Sequence, residues 1–206
     1  TDLVRAARLQ SKGTKLTFPI ATFAYWQIIS NKRSRISELK QLSDKMIAIT
    51  RYSATDYLAT LAIDSVHPKY DVYRVQINDV NIRLKMLLNN EMDAVLLSEP
   101  QATRARLEGH VKLMDSRDKN VRLGVFAFRT EALKEPRRKQ QLDLFIKAYN
   151  MAVDSINKNG VQHYKNLIIK NCGVDARTVD ALPKLRYQHA GSPRKHDRNI
   201  ANSIKN

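Results

Sequence analysis

A chain of 206 residues has room for one large domain or two small ones. Hydrophobic residues make up 43% and charged residues 27%, so the chain can bury a core and is not a disordered basic tail. The 36 Lys and Arg against 20 Asp and Glu leave a formal charge of +16, which directs attention to nucleic acid or an anionic membrane. No apolar run approaches the roughly 18 residues of a membrane span. The single cysteine, Cys172, excludes an internal disulfide and thiolate-built metal sites.

Residues 1–13 read as a helix with Thr1 or Asp2 as N-cap and Gly13 just past its end. A cap is normally delivered by a preceding strand or loop, so this opening predicts an upstream segment; these residues carry no signal-peptide pattern. Residues 15–21 are strand-like, with Pro19 placing them at an edge or an irregular position. A second apolar run covers 25–29. Ile36, Leu39 and Leu42 have helical spacing. Residues 45–50 form a short apolar strand of the kind found in parallel sheets covered on both faces. Helices at 53–64, 79–89 and 99–108 alternate with strands at 72–77, 93–97 and 111–114. The order βαβαβαβ over 45–114 predicts an α/β sheet with right-handed crossovers. A strand at 121–128 then precedes a nearly all-helical remainder, at 135–157, 161–170, near Asp175 and at 199–204.

The strand–turn–helix at 49–56 is the best candidate site. In open α/β sheets ligands lie outside the carboxyl ends of strands, and a helix N-terminus there offers unpaired N–H groups to an anionic or carbonyl group. Ser53 and Thr55 add hydroxyls and Tyr52 a ring or phenol. Ser53 also reads as an N-cap with Asp56 completing a capping box, a role compatible with ligand binding. A second turn, Ser98-Glu99-Pro100, ends the strand at 93–97 and starts a helix. Asn78, beside Asp79, precedes another helix. Nearer the N-terminus, Asp2 caps the first helix, and Thr22, Phe23 and Tyr25 follow a strand, where aromatic rings can stack on a flat ligand or join the core; Trp26 reads as core.

Catalysis finds little support. The five histidines show no metal-binding spacing, and neither a nucleophile elbow nor a phosphate-cradling Gly-rich loop occurs. The charge is uneven: 1–31 carry +3, 32–118 carry +2 and 119–206 carry +11. Within the last stretch, 134–139 place cations on the first turn of a helix, against its dipole, so they serve a solvated face or an anionic membrane rather than the helix.

Several segments together resemble a known family. They are the helix opening Asp2-Leu3-Val4, the segment Leu39-Lys-Gln-Leu-Ser-Asp-Lys-Met-Ile-Ala-Ile-Thr-Arg51 and the turn Ser53-Ala-Thr-Asp-Tyr57. Further on come Arg83-Leu-Lys-Met-Leu-Leu-Asn-Asn-Glu-Met-Asp-Ala-Val-Leu-Leu-Ser-Glu-Pro100 and the helix Phe145-Ile-Lys-Ala-Tyr-Asn-Met-Ala-Val153. Over almost the whole chain this resembles the type II periplasmic binding proteins of ABC importers, in the branch for sulfonates, taurine, nitrate and thiamine pyrimidine precursors. The resemblance implies an α/β fold of two lobes with a hinge. Lobe one would be 1–31 and 119–206, lacking its N-terminal part, and lobe two 32–118, with crossings near 27–31 and 120–125. It implies a solute held between lobes by Tyr52, Ser53, Thr55, Asp56, Asn78 and Glu99 on one side and Asp2, Thr22 and Tyr25 on the other. Neither enzymatic activity, cofactor, metal nor nucleic acid is expected. Expected partners are a small-molecule ligand, ABC permease and ATPase subunits, and an anionic membrane surface. Expected localisation is the periplasm or the outer face of the cytoplasmic membrane, with a signal peptide or lipoprotein anchor upstream. A ligand-sensing effector domain and a small-molecule enzyme on the same two-lobe fold remain as alternatives.

Overall fold

The structure is a computed structural model, and it describes residues 1–204. Its helices and strands, in chain order, are α1 (Leu3–Ser11), β1 (Leu16–Ala21), β2 (Gln27–Ser30), β3 (Met46–Ile49), α2 (Ala54–Asp64), β4 (Tyr73–Gln76), α3 (Val80–Leu88) and β5 (Ala94–Leu97). They continue with α4 (Gln101–Leu107), β6 (Val111–Asp115), β7 (Val125–Arg129), α5 (Pro136–Asn159), α6 (Lys165–Cys172), α7 (Ala176–Asp180) and α8 (Lys195–Ser203). The chain divides into two compact units, the first made of 1–24, 122–163 and 183–206, the second of 25–121 and 164–182. The segment 164–182, grouped by the sequence reading with lobe one, belongs to the second unit because α7 meets α4: Arg104 pairs with Asp175, and Gln101 Nε2 donates to the Cys172 carbonyl at 3.0 Å. Residues 205 and 206, the end of that grouping, lie outside the described residues.

The second unit is built on a five-stranded sheet of order β4-β3-β5-β2-β6. β3 runs parallel to β4 and to β5, and the continuous apolar runs of β3 and β5 put those two strands in the interior. β4, with Tyr73 exposed, is an edge strand. The βαβ order holds from β3 to β5, but β2 enters antiparallel between β5 and β6, so the sheet is mixed. The crossing expected near 27–31 is therefore corrected. Ile28 and Ile29 are fully buried in an interior strand, and the units meet in sequence at 24/25, 121/122, 163/164 and 182/183. A core of Ile29, Leu84, Leu87, Val95, Leu97 and Ala102 fills the space between sheet, α3 and α4. The carboxyl ends of β3 to β6 and the amino end of β2 share one edge of the sheet.

Two helical expectations shorten. The spacing of Ile36, Leu39 and Leu42 is met by a single 3-10 turn, Leu39–Leu42, since Arg35 stands in the left-handed region (φ 54) and Glu38 with Gln41 closes a capping box. Three apolar positions are satisfied by one turn that buries Ile36 and Leu42. The stretch from 161 opens as a 3-10 turn, Val161–Tyr164, before α6.

In the first unit, β1 pairs antiparallel with β7 alone, in a two-stranded sheet whose register shifts between Thr17 and Ile20, around Pro19. The strand expected at 121–128 begins only at Val125. Residues 123 and 124 instead receive the chain start, where Leu3 N–H donates to the Leu123 carbonyl at 2.8 Å and Asp2 bridges Gly124. On its other side Gly124 is crowded by Thr22, whose Oγ1 a Cβ there would strike, so glycine suits the close approach of Thr22. α8 begins at Lys195, earlier than the expected 199, with Asp197 buried and held by Arg194 and the Arg122 N–H.

Candidate functional site

The candidate turn forms where β3 ends. Ser53 is the N-cap of α2: its Oγ accepts from Thr55 N–H at 3.1 Å and donates to the Thr50 carbonyl at 2.6 Å. Thr55 Oγ1 accepts from Thr50 N–H at 2.9 Å and lies 2.9 Å from Ser53 Oγ. Both side chains are buried, so their hydroxyls are spent on the turn itself. Asp56 Oδ2 accepts from Tyr52 N–H at 2.8 Å, holding Tyr52 in the left-handed region (φ 56) with its ring exposed, and Asp56 Oδ1 faces Arg74 at 3.5 Å. Of the four residues proposed here, Tyr52 presents its side chain outward while Ser53 and Thr55 shape the backbone.

Beneath the turn lies a buried guanidinium that the sequence reading did not select. Arg83, on the inner face of α3, donates through Nε to the Leu96 carbonyl at 2.8 Å, and through Nη1 to Thr50 Oγ1 at 3.0 Å and the Ile77 carbonyl at 2.6 Å. It also reaches the carbonyl of Asn78 at 3.4 Å, so Asn78 enters the cluster by its backbone while its side chain stays exposed. These acceptors are neutral and the charge is 96% removed from solvent (4% exposed), so burial pushes the guanidinium down to about 10 in spite of nearby Asp79. The signal was in the sequence: an arginine between Ile82 and Leu84 on the apolar side of a helix.

Glu99 and Tyr25 are brought together. Glu99 Oε1 accepts from the Tyr25 hydroxyl at 3.2 Å and from Arg106 Nη2 at 3.0 Å, while Oε2 accepts from Thr103 N–H at 2.9 Å and its hydroxyl at 2.6 Å. Glu99 thereby serves the first turn of α4, whose assigned cap, Pro100, has no side-chain donor or acceptor to offer. Arg106 also bonds Gln27, whose Nε2 donates to Asp115 Oδ2 at 2.7 Å. Asp115 is clamped from the other side by Arg117 through Nε at 2.9 Å and Nη2 at 2.7 Å, and the same guanidinium sits 3.8 Å from the Tyr25 ring centroid. Burial and then the Glu99 carboxylate hold the Tyr25 phenol far above its ordinary value, against the pull of Arg117. Burial works to raise the Asp115 carboxyl, but the bonds from Arg117 and Gln27 outweigh it and leave its pKa lowered. The sequence reading missed Gln27, Arg106, Asp115 and Arg117, because they come from three separate segments that only the β2 insertion gathers.

The two remaining candidates lie in the first unit. Asp2 is the N-cap of α1, accepting from Arg5 N–H at 3.0 Å, and is buried. Thr22 N–H donates to the Gly124 carbonyl at 2.8 Å, and Thr22 lines a cavity of about 200 Å³ with Phe23, Arg122, His189 and Arg194. A groove of about 900 Å³ between α1, β1 and α8, walled by Leu3, Ala7, Leu16, Phe18 and Pro193, contains none of the nine candidates. Trp26 is half-buried rather than core. Among the described residues no cluster of His, Cys, Asp and Glu has metal-holding geometry, and no helix is long and apolar enough to cross a membrane.

The carboxyl edge of the second unit thus combines a capped helix N-terminus, a buried cation without a carboxylate acceptor and an aromatic–guanidinium stack. It can hold an anionic or strongly polar planar group by fixed dipoles and N–H donors. No protein-family model matches the sequence, and no curated protein matches it either. Solved structures do match, and they define the class: this is the fold of the periplasmic solute-binding proteins. The chain superposes on the periplasmic aliphatic sulphonate binding protein SsuA from Escherichia coli with a TM-score of 0.74 at 17% identity, over 98% of this chain and 70% of that one. The alkanesulfonate-binding protein SsuA from Xanthomonas axonopodis pv. citri, bound to MOPS, gives 0.75 at 15% identity over the same shares. The periplasmic nitrate-binding protein NrtA from Synechocystis PCC 6803 gives 0.67 at 12% identity, over 85% of this chain and 50% of that one. At these identities the likeness is one of fold.

Proposed function

We propose that the chain is the solute-binding component of an ABC importer, a non-enzymatic protein that captures a small sulfonate, a nitrate-like anion or a pyrimidine-type precursor and delivers it to permease and ATPase subunits. The observation that carries this reading is the match of nearly the whole chain to proteins named for binding sulfonates and nitrate. The carboxyl edge of the second unit supports the ligand class. An N–H-rich helix start lies over Arg83, which is buried against neutral acceptors, and such a site favours an anionic oxygen. On this reading the solute contacts come from the turn of Tyr52, Ser53, Thr55 and Asp56, with Asn78, Glu99 and Tyr25 along the same edge of the second unit. The protein works in the periplasm or at the outer face of the membrane, as a secreted protein or a lipoprotein.

A thermal-shift screen with alkanesulfonates, nitrate, aromatic carboxylates and pyrimidines tests the reading, followed by calorimetry on any hit. A stabilising member that raises the midpoint in proportion to the logarithm of its concentration is expected. No shift across the pool overturns it.

The basic turn at the start of α5 belongs to the same proposal. Arg137, Arg138 and Lys139 are exposed there. The first unit carries 18 basic and 6 acidic residues against 18 and 14 in the second, so the excess of cations is on the unit without the polar edge. This face docks on an anionic membrane, and co-sedimentation with phosphatidylserine vesicles that fades at high salt is expected.

A further inference from the structure

Arg83 has hydrogen-bonding capacity to spare. A guanidinium carries five N–H groups, one on Nε and two on each Nη. Nε–H is spent on the Leu96 carbonyl, and Nη1 on Thr50 Oγ1 and the Ile77 carbonyl, with the Asn78 carbonyl beside them at 3.4 Å. The N–H groups of Nη2 meet no acceptor among the described residues. Nη2 is not sealed in: solvent reaches it, although the residue as a whole is only 4% exposed.

The charge is as incompletely answered as the donors. Every acceptor of Arg83 is neutral. Asp79, whose field the guanidinium feels, is the N-cap of α3 and accepts from the N–H groups of Asn81 at 2.7 Å and Ile82 at 3.0 Å. The position of the guanidinium follows from its partners. Thr50 follows β3, Ile77 and Asn78 follow β4, and Leu96 is the last residue but one of β5, so the group lies across the carboxyl ends of three neighbouring strands. Thr50 is also the residue on which the α2 turn is built, since its carbonyl accepts from Ser53 Oγ and its N–H donates to Thr55 Oγ1. The spare donors therefore sit next to the start of α2.

A solute that settles on this edge displaces the water at Nη2. A neutral solute then leaves a full positive charge in a drier place with nothing opposite it, which is costly. An anionic oxygen answers both the donors and the charge. We infer that Arg83 selects the solute by charge: Nη2 donates directly to an oxygen of a monoanion, and uncharged heterocycles and amides are rejected. This rests on the solute-binding reading above and narrows it, leaving the oxyanions and removing the uncharged pyrimidine-type precursor.

Pairs of closely similar shape and different charge test the selection. Propanesulfonate is compared with propanesulfonamide and benzoate with benzamide, with nitrate and cytosine alongside, each titrated into the chain by calorimetry. An anion that binds is expected to do so at least about thirtyfold more tightly than its neutral counterpart. Arg83→Lys keeps the charge but ends short of the solute, and should weaken that anion at least about tenfold. Lys85→Gln removes an exposed cation from the same helix and should leave the affinity within about twofold. The comparison within each pair uses the parent chain, so it decides the matter even where Arg83→Lys folds poorly. A sulfonamide, amide or cytosine that binds as tightly as the anions overturns the charge selection and leaves the solute-binding reading standing. So does an anion whose affinity is unchanged in a folded Arg83→Lys chain. Silence from anions and neutral solutes alike overturns both.

Discussion

Arg83 Nη1 donates to Thr50 Oγ1 at 3.0 Å, tying a buried charge on α3 to the strand end from which the α2 turn springs. Its other acceptors are main-chain carbonyls of two further segments, Leu96 of β5 and Ile77 with Asn78 after β4, so one side chain fastens β3, β4 and β5 at the candidate edge. Arg83→Met removes the donors and leaves buried oxygens unpaired, and should lower stability by about 3 kcal/mol. Arg83→Lys, with one ammonium for a forked guanidinium, should recover about half of that. Urea denaturation with an unchanged m-value measures both; a midpoint equal to the parent's would show that these bonds contribute nothing net.

The bond of Tyr25 to Glu99 and the grip of Arg117 on Asp115 separate by mutation. Tyr25→Phe keeps the ring and loses the bond to Glu99, at about 1 kcal/mol. Arg117→Ala strips the buried Asp115 of its side-chain cation and should cost about 2 to 3 kcal/mol at neutral pH. Because the folded pKa of Asp115 is lowered, that contribution is present above the unfolded value near 3.8 and is lost as pH falls through the folded one. The gap between parent and variant should therefore close in acid; a gap independent of pH would place the effect in packing alone.

The contrast between β3 and β2 explains what could be read without coordinates. Residues 46–49 declare a buried parallel strand by being apolar throughout, and Ser53 declares a cap by its place before Ala54, so the turn at the head of α2 was legible from local pattern. β2 was not placeable, since four apolar-to-polar residues, Gln27–Ser30, carry no record of pairing with β5 and β6, which lie far along the chain. Everything that depends on that insertion was invisible for the same reason, including the approach of Gln27 to Asp115 and of Tyr25 to Glu99. Arg83 was not singled out, because its neutral acceptors come from β3, β5 and the end of β4.

His110 offers a pH test within the second unit. Its Nδ1 accepts from Lys32 N–H at 3.3 Å, and burial, followed by the Lys32 charge, lowers its pKa below the ordinary 6.5. The unfolded chain therefore takes up the proton first. Stability should be at its full value above about pH 6.5 and decline as pH drops toward the folded pKa. His110→Gln should flatten that part of the profile; an unaltered slope would assign it to other groups.

Ser53 and Thr55 decide how the candidate turn meets a solute. Their hydroxyls bond Thr50, one another and the Thr55 N–H, so on the proposed reading a solute is met by backbone groups of the turn and not by these hydroxyls. A Ser53→Ala/Thr55→Ala double change should cost about 2 kcal/mol and weaken any solute found in the screen, because it leaves the Thr50 N–H without its acceptor and loosens the loop that aims those groups. Ser53→Gly is the informative single change. Glycine at an N-cap costs only a few tenths of a kcal/mol and keeps the N–H geometry, so affinity should hold within about twofold. A large loss of affinity in Ser53→Gly with an unmoved thermal midpoint would instead put the hydroxyl itself on the ligand, and the contact would then require Ser53 Oγ to leave the Thr50 carbonyl on binding.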